Sequence, residues 1–123
     1  MDIASFKDLI VWQKAVELAK EMYRATDKMP RREMFGLQSQ MCRCAVSIPS
    51  NIAEGKRRST RKDFLQFLHI ADGSASELET QIIIAESVYP HLDLKHSKSL
   101  LGEVQKMLGG MIKRLEAPAS SRQ

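Results

Sequence analysis

The chain has 123 residues, of which 43% are hydrophobic, 28% charged and 6% aromatic, with a formal net charge of +4 and a pI of about 9.2. This length and composition predict one soluble globular domain with an aliphatic core, not a disordered chain. No segment approaches the roughly 18 apolar residues that span a bilayer, and the first residues lack the pattern of a secretory leader. We therefore expect a cytoplasmic protein with no membrane partner.

The first apolar stripe predicts a helix over about residues 6–27. Ser5 followed by Asp8 resembles a capping box, which marks the start of a helix. After it, apolar residues recur at spacings of three and four, which is the helical period. These residues are Leu9, Trp12, Val16, Ala19 and Tyr23.

The second stripe predicts a helix over about residues 31–55, beginning after the break at Pro30 and ending at Gly55. Its apolar residues are Leu37, Met41, Cys44, Ala45, Ile48 and Ile52. Pro49 lies inside this helix and cannot donate to the carbonyl of Ala45, so we expect a kink there.

The third stripe alternates spacings of four and three without interruption and predicts a helix over about residues 60–89, ended by Pro90. Its residues are Phe64, Leu68, Ala71, Ala75, Leu78, Ile82, Ala85 and Tyr89. Ser59 and Thr60 are candidate N-caps. A fourth stripe predicts a helix over about residues 97–116. It consists of Leu101, Val104, Leu108, Met111 and Leu115.

Four helices with short connections predict an all-α, antiparallel, up-down-up-down four-helix bundle. We expect one domain over residues 1–116 and a flexible C-terminal tail over residues 117–123.

Folding the second and third helices together places Met41 level with Ser74, and folding back the fourth places Gly109 and Gly110 one turn from Gly73 and Ser74. Since helical glycine costs about 1 kcal/mol relative to alanine, these glycines predict closely approaching backbones or a subunit contact.

The patterns of metal sites and enzymes are missing from the sequence. The three histidines have no metal-ligand spacing with each other or with the cysteines, and no phosphate loop or nucleophile motif occurs. Glu77 and Glu79 diverge on a helix, and so do Cys42 and Cys44, which cannot easily form a mutual disulfide. We therefore expect no catalytic residues, no metal, no cofactor and no enzymatic activity.

A polar line on the second helix has two interpretations. Ser47, Asn51 and Glu54 follow one another at helical spacing beside the apolar stripe. In the structural interpretation this line supplies hydrogen bonds to the backbone at the kink, with Ser47 or Asn51 capping the carbonyl freed by Pro49. In the functional interpretation it binds a ligand.

The turn after Gly55 is strongly basic and also has two interpretations. Its candidate nucleic-acid-binding residues are Lys56, Arg57, Arg58, Arg61 and Lys62. A solvated turn is often positively charged, and such a turn needs no ligand. However, a helix begins directly after it, and its free N–H groups together with the basic side chains favour a bound phosphate.

Three segments resemble one known family over nearly the whole chain. They are "FKDLIVWQKAVELAKEMY", "FGLQSQMCRCAVSIPSNIAEGKRRST" and "DFLQFLHIADGSASELETQ". The chain resembles the 23S rRNA intervening-sequence proteins of bacteria, relatives of the accessory variability determinant protein of diversity-generating retroelements. Met34-Phe35 and Cys42-Arg43-Cys44 depart from the tyrosine or arginine pairs expected there.

The resemblance implies a ring-shaped homo-oligomer, a pentamer, with no known enzymatic activity. It assigns the motif residues to the kink, to packing and to subunit geometry. These residues are Ser47, Pro49, Asn51, Glu54, Gly55, Gly73, Ser74, Glu77 and Thr80. The retroelement relatives bind nucleic acid and partner a reverse transcriptase. Our leading hypothesis, which rests on the basic turn and its repetition around a ring, is an oligomeric bundle that binds RNA or DNA phosphates, and the alternative is a scaffold that recruits a protein partner.

Overall fold

Four long α-helices form the part of the chain that the structure, a computed structural model, describes, which is residues 5–118. They are α1 (Ile10–Thr26), α2 (Leu37–Lys56), α3 (Arg61–Val88) and α4 (Lys95–Glu116), with short 3-10 helices at Phe6–Asp8 and Arg31–Glu33. No strand occurs in residues 5–118, so the predicted all-α four-helix bundle is confirmed. None of the four helices has the length and apolar character needed to cross a bilayer. Residues 119–123 of the predicted tail lie outside the described residues.

The helices pack in chain order around a square. Each contacts its neighbours in sequence and α1 contacts α4, whereas the described residues include no contact between α1 and α3 or between α2 and α4. Pairs of side chains show that α3 and α4 are antiparallel, since residue numbers rise along one as they fall along the other. These pairs are Glu86 with Lys98, Glu79 with Gln105, and His69 with Glu116.

The core stripe of α1 differs from the predicted one. Val11, Ala15, Leu18 and Met22 are buried, whereas Tyr23 is 58% exposed. The buried stripe lies one position before the predicted stripe, although Ala19 is buried as predicted and Leu9 and Trp12 are half-buried against the core. Both stripes have helical spacing. Periodicity alone could not choose between them, because the choice depends on where α2 and α4 pack.

The helix starts also differ in part from prediction. Ser5 Oγ accepts a hydrogen bond from the N–H of Lys7, but this caps a 3-10 helix, and α1 begins only at Ile10. Thr60 is the N-cap of α3, as predicted, since its Oγ1 accepts from the N–H of Asp63 at 3.1 Å. In the other three helices the predicted stripes are buried or half-buried.

The start of α2 is held by a side chain that periodicity did not identify. The predicted helix from residue 31 is a 3-10 helix followed by α2 from Leu37. Glu33 Oε1 accepts from the N–H of Leu37 at 3.0 Å, and Tyr89 Oη donates to Glu33 Oε2. Arg32 lies over the Tyr89 ring at 5.7 Å. These contacts join the start of α2 to the end of α3.

Gly55 allows α2 and α3 to approach closely near the turn. A Cβ atom at this position would lie 2.6 Å from Phe67 Cβ and 3.0 Å from Phe64 Cδ1. Gly55 is not a left-handed C-cap, because α2 continues to Lys56 and none of the residues from 5 to 118 has a positive φ. Its role here is close packing.

The other glycines do not bring backbones together within one protomer. A Cβ atom at Gly73 or Gly109 would meet nothing within 4 Å, and at Gly110 only Arg114 Nη1 at 3.8 Å. The predicted close approach at this height is therefore wrong for the single chain, and a subunit contact there stays a prediction. The register of α2 on α3 also differs by about one turn, because Cys44, not Met41, lies level with Ser74.

We predict that Gly55→Ala destabilises the fold although alanine favours helices by about 1 kcal/mol. The new methyl group would collide with a Cβ atom that cannot rotate away, and forced separation of packed helices costs about 1–3 kcal/mol. Urea denaturation followed by circular dichroism measures the loss. Gly102→Ala is the matched control, since a Cβ atom there meets nothing within 4 Å, and this variant should be neutral or slightly stabilised. Equal stabilities for both variants would contradict close packing at Gly55.

We predict an acid-dependent contribution from Glu33. The hydrogen bond from Tyr89 and then that from the Leu37 N–H hold the pKa of Glu33 below its ordinary value of 4.5. A lowered folded-state pKa gives stability that is present above pH 4.5 and is lost as the pH falls through the folded-state pKa.

Urea denaturation between pH 7 and pH 3 tests this contribution. The wild type should be more stable than Glu33→Gln at pH 7, and the difference should shrink below pH 4.5. Glu17→Gln, at an exposed position without an ion pair among residues 5–118, is the matched control for removal of one carboxylate. A constant gap between wild type and Glu33→Gln over this range would contradict the assignment.

Candidate nucleic-acid interface

The basic turn lies at the end of the bundle where α2 stops and α3 begins. Arg61 Nη1 donates to the carbonyl of Leu115, which places the last turn of α4 beside the first turn of α3. Lys113 and Arg114 of α4 are exposed at the same end. We call the resulting set of seven residues the basic end. It comprises Lys56, Arg57, Arg58, Arg61, Lys62, Lys113 and Arg114.

Sequence reasoning missed Lys113 and Arg114. They lie about 50 residues beyond the turn, and only the antiparallel packing of α4 on α3 brings them to it. The available signal was the presence of basic residues in the last turn of the predicted fourth helix, which in a four-helix bundle ends where the third begins.

Three of the five predicted basic residues already have partners inside the protein. Arg58 pairs with Glu54 at 2.8 Å and lies over the Phe67 ring at 4.9 Å from its centroid. Lys56 lies 6.0 Å from the centroid of the Phe64 ring, and Arg61 binds the end of α4. These contacts hold the cations in place along the surface.

Arg57 and Lys62 are exposed and have no ion pair or side-chain hydrogen bond within residues 5–118. Arg57 is the C-cap of α2, and Lys62 lies in the first turn of α3, where the N–H groups of Arg61 and Lys62 are also unpaired in that part of the chain. Asp63 in the same turn partly offsets the positive charge. The arrangement offers two free cations and the positive end of a helix dipole to an anion.

A second feature lies beside the basic end, between the outer faces of α2 and α3. It is an open groove with a volume of about 480 Å³, which we call the polar groove. Its lining side chains are mainly polar. They are Gln40, Arg43, Cys44, Ser47 and Asn51 of α2, and Ile70, Ser74 and Glu77 of α3.

The polar line on α2 does not cap the carbonyl that was expected to need it. Ser47 Oγ donates to the carbonyl of Cys44 at 2.7 Å, and Asn51 Nδ2 donates to that of Ser47 at 2.8 Å. Neither reaches Ala45, so the prediction that one of them caps the Ala45 carbonyl is wrong. The helix continues through Pro49 to Lys56. Both side chains bond to a carbonyl about one turn before them, as short polar side chains in a helix readily do.

Cys44 is a buried structural thiol. Its Sγ donates to the carbonyl of Ser74 at 3.0 Å, and burial, followed by the nearby Glu77 carboxylate, raises its pKa to about 12. The thiol is therefore protonated at neutral pH and is a poor nucleophile. Cys42 is also free, with its Sγ 3.5 Å from Thr26 Oγ1.

The remaining motif residues divide between two places. The groove brings together Ser47, Asn51, Ser74 and Glu77 from helices that are distant in sequence. Gly73 and Thr80 are instead exposed on α3, where Thr80 Oγ1 donates to the carbonyl of Ser76. Glu54 and Gly55 lie nearer the basic end.

No cluster of three His, Cys, Asp or Glu side chains that could hold a metal occurs among residues 5–118. The histidines are spread over the surface. His69 pairs with Glu116 at 3.0 Å, His91 contacts the edge of Tyr89, and His96 lies in the first turn of α4.

Comparisons with known proteins agree with this architecture. Residues 7–110 match the model of the family described as 23S rRNA-intervening sequence protein. The chain is also similar to a 1.70 Å crystal structure of a protein with unknown function from the S23 ribosomal protein family of Bacteroides thetaiotaomicron VPI-5482. The TM-score is 0.72 at 25% sequence identity, covering 85% of this chain and 99% of the other. No curated protein matches the sequence. Because the family model matches most of its length and the four-helix fold agrees with that match, the chain belongs to the 23S rRNA-intervening sequence protein family.

Proposed function

We propose that this protein is a non-enzymatic, self-associating four-helix bundle that binds the phosphates of RNA or DNA through its basic end. The observation that carries the proposal is the pair of free cations, Arg57 at the end of α2 and Lys62 in the first turn of α3. A cation at a helix start is repelled by the positive end of the helix dipole. A bound phosphate would be attracted by both and would offset this repulsion.

The clustering of charge supports the proposal more than the net charge does. The formal charge of the whole chain is only +4, yet seven cations gather at one end of the bundle against Glu54, Asp63 and Glu116. A local cluster attracts phosphate strongly even when the total is modest, because exposed charges act within about 10 Å of each other at moderate salt. The description of the family names an RNA context, which is consistent with this chemistry.

Exposed apolar side chains on α3 support self-association. Ile84 and Val88, one turn apart on α3, are 47% and 55% exposed, and Ile83, on the side toward α4, is 57% exposed. Large aliphatic side chains gathered on one helix are typical of a surface that another chain covers. A ring-shaped homo-oligomer such as the pentamer expected for the family would present several basic ends together, and avidity would strengthen weak single contacts.

The alternative is a scaffold whose ring recruits a protein partner without binding nucleic acid. Its specific support lies at the opposite end of the bundle, where Phe35 is 92% exposed and Met34 is 48% exposed. An exposed phenylalanine beside a methionine is a common anchor in protein interfaces.

We predict that nucleic-acid binding is steeply salt-dependent and requires the two free cations. Fluorescence anisotropy with a labelled RNA should give a log–log slope of several for wild type, because each phosphate contact contributes about 0.9 or less to the slope. The double variant Arg57→Glu, Lys62→Glu should bind at least tenfold more weakly and with a smaller slope. Neither side chain has a partner within residues 5–118, so folding should be preserved.

The control for this experiment is the double variant Lys20→Glu, Lys95→Glu, which changes the net charge equally at exposed positions away from the basic end. It should retain most of the affinity. An equal loss in both double variants would show that only net charge matters and would contradict a defined site. No binding of RNA or DNA by wild type at 50 mM salt would favour the scaffold.

We predict that the purified chain assembles through the apolar face of α3. Light scattering at micromolar concentration should give a multiple of the 13.9 kDa chain mass. Ile84→Glu should reduce that mass, because it places a charge among the side chains to be buried. Lys20→Glu, on the other side of the bundle, should leave it unchanged. A wild-type mass of 13.9 kDa would contradict the oligomer.

A further inference from the structure

The polar groove contains several hydrogen-bonding groups without partners in residues 5–118. Arg43 forms no ion pair there and Ser74 Oγ forms no hydrogen bond, whereas Glu77 on the opposite wall forms no ion pair but lies beside the Cys44 thiol. Asn51 uses its amide nitrogen for the Ser47 carbonyl, which leaves its oxygen free. The groove therefore offers donors and acceptors of both charges, with Ile70 as an apolar wall. Its volume of about 480 Å³ is within the range of ligand sites, which is roughly 300–1,000 Å³.

The groove leads directly to the basic end. Arg58 of the basic end pairs with Glu54, which follows Asn51 by about one turn on the polar line of α2. The half-buried Phe67 ring of α3 lies under the Arg58 guanidinium, 4.9 Å away. From the turn toward the groove, a ligand would meet free cations, then a ring stacked with a guanidinium, and then hydrogen-bonding side chains.

This order matches the chemistry of an unpaired nucleotide strand. Its phosphates suit the cations, and its bases can stack on aromatic rings or guanidinium planes and form hydrogen bonds through their exposed edges. The bases of a duplex are paired and stacked and cannot enter a groove between two helices. Glu77 distinguishes base from phosphate, because a carboxylate repels phosphate but accepts a hydrogen bond from the amino group of cytosine.

We infer that the polar groove binds unpaired bases of single-stranded nucleic acid, with Arg43 and Glu77 contacting base edges while the basic end holds the adjacent phosphates. The inference rests on the proposed function and extends it to the class of ligand. A second protein chain suits the groove less well, since Ile84 and Val88, the other exposed aliphatic side chains of this stripe, lie two and three turns beyond Glu77. A protein that covered the groove would also have to supply partners for the charges of Arg43 and Glu77.

Anisotropy with short oligonucleotides tests the inference. At matched salt, Arg43→Ala should weaken binding of a single-stranded RNA about tenfold, the loss expected for one charge-assisted hydrogen bond, and should leave a duplex of equal length unaffected. Wild type should prefer oligocytidine to oligouridine, and Glu77→Gln should reduce that preference. Lys20→Ala and Glu17→Gln, exposed on α1, are the charge-matched controls and should change neither readout.

A further variant tests the role of the aromatic ring of Phe67. Phe67→Leu keeps an apolar side chain against Gly55 but removes the aromatic face, so it should weaken single-strand binding more than duplex binding. Urea denaturation of each variant separates loss of binding from loss of folding. Arg43→Ala and Glu77→Gln should unfold at the wild-type midpoint, since neither side chain has an ion pair within residues 5–118.

The possible outcomes distinguish this inference from the proposed function. If the change at Arg57 and Lys62 weakens binding while Arg43→Ala and Glu77→Gln have no effect, the groove assignment is overturned and phosphate binding stands. If Arg43→Ala lowers the assembly mass in light scattering, the groove is a subunit contact and the inference is also overturned. If wild type binds neither strand nor duplex, both proposals fail.

Discussion

The close packing of α2 on α3 at Gly55 is the constraint on which the rest of the surface depends. With no side chain at this position, Phe67 and Phe64 lie directly against the α2 backbone. The two helices therefore leave the turn as a tight pair, and Cys44 bonds across to Ser74 farther along. This pairing fixes the register that forms the polar groove.

The same packing positions the charges. Phe64 and Phe67, held by Gly55, provide the rings over which Lys56 and Arg58 lie. The cations are thus spread along one surface, and the end of α4 adds further positive charge through its contact with Arg61. A strand of nucleic acid bound as proposed would meet cations, an aromatic ring and polar groups along this surface.

Much of the fold was predictable because the apolar residues of each bundle helix recur at helical spacing in the sequence. The stripe of α3 was correct from Leu68 to Tyr89, and Thr60 was identified as its cap. The stripe of α1 was wrong by one position because Tyr23 and Met22 both continue a helical pattern, and only the neighbouring helices decide which is buried. Glu33 was missed because it acts through contacts with Leu37 and with the distant Tyr89.

The sequence by itself determined the four helices, their antiparallel order, the family and the basic turn, since these depend on local periodicity, turn residues and motifs. Only the tertiary structure decided that Arg57 and Lys62 are free while Arg58 and Arg61 are engaged. It also brought Lys113 to the basic end and formed the polar groove from two helices. The physical reason is that side-chain partners and cavities depend on how each helix is rotated and on its register against its neighbours. The hydrophobic period leaves that register undetermined by about one turn.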